Sequence, residues 1–102
     1  MELRDRLKYD TISYQKIYEK INNMPTVLRI GAFRFHFYSD EGDEPPHIHV
    51  ATPDGECKFW LHPIRLARNL GVPAKTVREI EKLVFQHQKL FVEKYYACHP
   101  AK

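Results

Sequence analysis

The pattern of apolar and polar positions changes period twice along this chain of 102 residues. Asp10 or Thr11 can cap a helix carrying Ile12, Ile17 and Ile21, with Tyr14 and Tyr18 one turn apart; Asn22-Asn23-Met24-Pro25 ends it. From Thr26 the period becomes two. Val27-Leu28-Arg29-Ile30, a Gly31-Ala32 turn and Phe33-Arg34-Phe35-His36-Phe37-Tyr38 read as a hairpin whose three phenylalanines share one face. An acidic, proline-bearing loop follows from Ser39 to Pro46, then a strand from His47 to about Thr52, a Pro53-Asp54-Gly55-Glu56 turn, and a strand from Cys57 to Leu61. Beyond His62-Pro63 the spacing of Ile64, Leu66, Ala67 and Leu70 predicts a short helix stopped by Gly71. Pro73 then opens a longer one through Val77, Ile80, Val84, Phe91 and Tyr95.

The expected fold is therefore α+β: a four-stranded antiparallel sheet with the C-terminal helices on one face. Residues 1–23 form an N-terminal helical extension, and residues 24–102 a single domain. Alternation fixes which side chains face the helices. With Phe33, Phe35, Phe37, Ile48, Val50, Cys57, Phe59 and Leu61 turned inward, the opposite face receives Arg34, His36, Tyr38, His47, His49, Lys58 and Trp60. That set is basic and aromatic. Singly, each member is what an antiparallel sheet shows to water. Together they suit an anionic, planar ligand, because Arg34 and Lys58 meet phosphates while Tyr38 and Trp60 offer stacking surfaces for unpaired bases.

His36, His47 and His49 sharpen this expectation, since imidazoles titrate near neutral pH. Beside Arg34 and Lys58 they have the makings of a general acid and base for metal-free cleavage of RNA. The alternative is a divalent metal held by His47 and His49, with Asp43 first, or Asp40 or Glu44, folding back from the preceding loop as third ligand. His-x-His spacing alone does not choose between them.

Composition narrows the partners. The formal charge is +3, with six histidines uncounted, and hydrophobic residues make up 43% of the chain. A folded, mildly basic globule follows, favouring an anionic partner without demanding one. Cys57 and Cys98 lack metal-type spacing and make no disulfide framework. No apolar leader follows Met1 and no apolar run reaches about 18 residues, so a cytoplasmic protein with no membrane partner is expected.

Pro25-Thr26-Val27-Leu28-Arg29-Ile30, Phe37-Tyr38-Ser39, Glu44-Pro45-Pro46-His47-Ile48-His49-Val50 and Lys58-Phe59-Trp60 resemble the domain-of-unknown-function family 4160, small prokaryotic proteins, over residues 24–98. The Pro-Pro-His-x-His-Val segment is the most distinctive part. Members often resemble one half of a two-gene module of the toxin and antitoxin kind. The resemblance thus implies a toxin-like role and a small cognate antitoxin-like protein as partner, but brings no catalytic residues to transfer. Residues 1–23 depart from the family's usual start.

Two rival functions remain. Ala67, Gly71 and Val77 have the spacing of a helix-turn-helix over residues 63–85, which would turn Lys75, Thr76 and Arg78 toward DNA. A non-catalytic interaction domain, binding its partner by a sheet face or edge, is the other. The sequence leaves turnover, RNA against DNA, and a homo-oligomer open.

Overall fold

The computed structural model describes residues 26–99, so the helix expected before Met24 lies outside the described residues. Five strands run in chain order as an antiparallel meander: β1 (Thr26–Ile30), β2 (Phe33–His36), β3 (His47–Ala51), β4 (Glu56–Leu61) and β5 (Ile64–Leu70). Two helices follow, α1 (Ala74–Gln86) and α2 (Gln88–Cys98). The fold class is α+β, as expected, and the first four strands fall where the period-two pattern puts them.

The fifth strand corrects the expectation of four. Residues 64–70 pair with β4 instead of forming a helix, which gives the outer edge of β4 its hydrogen-bond partners. The misleading spacing has a local cause. Lys58 lies opposite Arg68 and Phe59 opposite Leu66, so Ala67 is an extra residue in a bulge. Alternation is broken there: Ile64, Leu66 and Asn69 take the core side opposite Leu61, Phe59 and Cys57. An apolar pattern interrupted by one residue imitates a helical period.

The same finding removes the helix-turn-helix over residues 63–85, whose first helix is β5. The long helix after Pro73 is also two helices, parted at His87, which leaves helical geometry with φ −115° and ψ 17°. Its imidazole Nδ1 lies 2.9 Å from the Leu83 carbonyl oxygen and donates to it, closing α1.

The core forms between the helices and one face of the sheet. Phe35, Phe37, Ile48, Val50, Cys57, Phe59 and Leu61 are buried against Ile80, Val84, Phe91 and Tyr95, and the rings of Phe35 and Phe91 stack at 5.2 Å. Faces are therefore assigned as alternation predicts, and the other side of β2, β3 and β4 is fixed with them.

Candidate histidine and carboxylate centre

On that other side the register brings the predicted residues together. His36 on β2 is paired with His49 on β3. His49 is in turn opposite Lys58, and His47 opposite Trp60. The His36 and His49 rings stack at 5.6 Å, and Tyr38 meets His49 edge-on at 4.5 Å. Arg34 lies two positions along β2, its Nη1 donating to Thr26 Oγ1 at 3.2 Å. Lys58 Nζ sits 4.6 Å above the Trp60 ring.

Three features depart from the expected open, basic surface. First, His36, His47 and His49 are buried, at 0%, 0% and 1% exposure. Second, the face carries carboxylates. Glu56, expected in a turn, is the first residue of β4 and projects beside His49, while Glu41 and Glu44 reach in from the loop. Third, the loop acid that folds back over the histidines is Glu41; Asp43 is exposed. Glu56 was legible, because continuing the alternation one residue back from Cys57 turns it to this face. Glu41 carried no periodic signal.

The loop is held from the far side of the fold. Tyr95 on α2 directs its hydroxyl at the carbonyl oxygens of Glu44 and Glu41, 2.7 and 3.1 Å away. His99 Nδ1 lies 3.0 Å from the Tyr95 carbonyl and its Nε2 2.9 Å from that of Tyr38, bridging α2 to the start of the loop. Burial, and then the charge of Glu44, raise the Tyr95 phenol above its ordinary pKa and keep it a donor. Tyr95→Phe is expected to cost about 1–2 kcal/mol in chemical unfolding and to raise amide exchange in residues 39–46 while β3 and β4 stay protected.

At the centre, Glu41 Oε1 lies 2.8 Å from His47 Nε2 and 2.7 Å from His49 Nε2. The remaining nitrogens also face oxygen: His47 Nδ1 is 2.8 Å from the Pro45 carbonyl, and His49 Nδ1 is 3.1 Å from Glu56 Oε2, off the line of a good hydrogen bond. Tyr38 donates to Glu56 at 3.0–3.1 Å, and Lys58 Nζ is paired with Glu44 Oε1. Both His36 nitrogens lack an aligned partner; its Nε2 stands 3.8 Å from Glu56 Oε1.

Burial, reinforced by the charge of Arg34 and by His49, lowers His36 to about 3. Burial likewise lowers His49, although Glu41 opposes it. For Glu41, burial pushes upward but the hydrogen bonds from His49 and His47 outweigh it, and its pKa falls below the usual value. The unfolded chain therefore takes up protons at His36 below pH 6.5 that the folded chain refuses. Stability from this group is full above pH 6.5 and declines as the pH falls toward 3. Between pH 7 and 5 the loss is expected to be about 2 kcal/mol, read from urea midpoints. His36→Leu should flatten that slope, and an unchanged slope would refute the assignment.

A meander with one face under helices and the other bearing a buried histidine and carboxylate cluster defines a small α+β domain with one polar centre. The chain matches the family described as a domain of unknown function (DUF4160) over residues 32–96, well over half its length, and belongs to it. No curated protein and no solved structure matches the chain. Among the described residues no helix is long and apolar enough to cross a membrane.

Proposed function

We propose that this chain is the toxin-like member of a two-protein pair and that it acts on nucleic acid, RNA first, at the histidine and carboxylate centre. The observation that carries the reading is the convergence of His36, His47 and His49 with Glu41 and Glu56 at one place, beside Arg34, Lys58, Tyr38 and Trp60. Working sites gather buried titratable groups whose protonation is perturbed by burial and by specific charged neighbours, as this cluster does. RNA carries its own nucleophile. One group of the cluster takes the proton of the 2′-hydroxyl as its oxygen bonds to phosphorus, and another returns a proton to the departing 5′-oxygen. Positive charge beside the centre, from Arg34, Lys58 or a bound cation, offsets the three carboxylates so that a phosphate approaches. The partner, a small antitoxin-like protein, is carried by the family's gene arrangement.

The test is cleavage of a single-stranded RNA by the purified chain, with the 2′-deoxy strand as control, alongside growth on expression. RNA should be cut and its deoxy counterpart spared, and growth should arrest. Absence of both cleavage and arrest, or equal cleavage by His47→Ala and His49→Ala, sinks the reading.

A further inference from the structure

Counting hydrogen-bond donors at the centre exposes a mismatch. A neutral imidazole has one N–H and one bare nitrogen. His47 nevertheless has an oxygen 2.8 Å from each ring nitrogen, the Pro45 carbonyl at Nδ1 and Glu41 Oε1 at Nε2. His49 has Glu41 Oε1 2.7 Å from Nε2, and Glu56 Oε2 3.1 Å from Nδ1 but off the line of a good hydrogen bond. None of these oxygens has a proton to give when the carboxylates are ionised. With neutral rings, two N–H donors serve three aligned contacts, so one nitrogen lone pair would point at an oxygen lone pair. A single imidazolium at His47 would repair this only by placing a charge on a ring sealed from water.

One ion resolves the mismatch without a buried imidazolium. Nδ1–H of His47 donates to Pro45 and Nδ1–H of His49 is turned to Glu56, which leaves both Nε2 lone pairs directed at the same point as Glu41 Oε1. Those three atoms lie within 4.8 Å of one another. We infer that Glu41 Oε1, His47 Nε2 and His49 Nε2 bind one divalent transition-metal ion, zinc in preference, with the Pro45 carbonyl and Glu56 as the outer partners that orient the two rings. Two imidazoles and a carboxylate with a fourth position left open are a zinc donor set of the catalytic kind. Outer oxygens on the far nitrogens are the usual means of fixing such rings. Tetrahedral zinc spaces its ligand atoms about 3.3 Å apart. Glu41 Oε1 therefore withdraws by roughly half an ångström to admit the ion, and the two Nε2 atoms, which lie within 4.8 Å of each other, adjust to the same spacing.

His36 adds an independent observation. It is fully buried, has no aligned hydrogen bond on either nitrogen, and stacks on the His49 ring. A third buried imidazole beside the pair makes the centre more polar than a dry sheet face needs to be. Its nearest carboxylate, Glu56, is the one that orients His49. This inference goes beyond the RNA reading and stands or falls separately from it.

The experiment is titration of the untagged, chelator-washed full chain with zinc alone, followed by calorimetry and by thermal unfolding. One ion per chain is expected, with a raised melting temperature. Glu56→Gln should weaken binding about 10-fold, and Glu41→Ala and His49→Ala by more than about 100-fold. His62→Ala, which alters an exposed histidine, should bind as the parent does. Should His49→Ala fail to fold, Glu41→Ala carries the test, since its side chain is partly exposed on the loop. No saturable binding, binding that Glu41→Ala leaves intact, or binding lost in His62→Ala overturns the inference. Zinc bound without RNA cleavage would keep the metal site and remove the RNA function. RNA cut by a chain that binds no zinc would do the reverse.

Discussion

Gly55→Ala is expected to destabilise the domain by about 3 kcal/mol or more, read from urea unfolding of parent and variant side by side. An added Cβ at this position would sit 2.0 Å from the Leu70 carbonyl oxygen and 3.0 Å from its carbon. Both belong to backbone, so no rotamer change relieves the overlap; β4 and β5 must part. Gly55 is also pinned from its other side. Its carbonyl accepts from the Thr52 N–H at 2.8 Å and from Thr52 Oγ1 at 3.0 Å, closing the β3–β4 turn. Moving it therefore loosens that turn and shifts Glu56, the next residue, away from His49. Gly31→Ala makes the contrast. Its φ is +57°, but nothing lies within 4 Å of the added carbon, so only backbone strain of about 1 kcal/mol is expected. Equal losses at the two glycines would refute the close-approach argument.

His49→Ala is expected to lower RNA cleavage by about 10²-fold or more, because the ring serves the centre either as a positioned proton-transfer group or as a ligand of its ion. His49 is chosen because it meets both glutamates of the centre and both flanking rings: Glu41 through Nε2, Glu56 near Nδ1, the His36 ring by stacking and Tyr38 edge-on. Trp60→Ala should behave differently. A lost stacking surface weakens binding by about 1–3 kcal/mol per base and appears in KM, with kcat nearly kept. Rates should be compared after circular dichroism shows both variants folded. The same rise in KM and the same fall in kcat for both would argue that these residues only hold the sheet together.

The strands from Thr26 to Leu61 were legible because each has one buried and one polar side, and strict alternation of phenylalanine with Arg34 and His36 has no helical reading. β5 was not, because the bulge at Ala67 breaks the period and the need of β4 for a hydrogen-bonded neighbour is tertiary information. The histidine cluster was legible for the same reason as the strands: once Phe35, Ile48 and Phe59 are turned inward, His36, His47 and His49 must share the other side. Its burial was not, because it depends on a loop closing over the face. Glu41 is placed by the path of that loop and by Tyr95, some fifty residues later, and neither leaves a pattern in the chain. The acidic segment was visible as charge; which acid arrives was decided by backbone turns from Tyr38 to Glu41 and from Glu41 to Glu44.

The hold of Tyr95 and His99 on the loop gives the centre a place in time as well as in space. All of Glu41, His47, His49 and Glu56 leave the ribosome some forty residues before the phenol that fixes Glu41 and the imidazole that ties α2 to Tyr38. A nascent chain that ends before Tyr95 carries each reactive group and lacks the clamp that sets them in register. The centre is thereby completed only after α2 has been made, and a chain cut before Tyr95 carries an unassembled site.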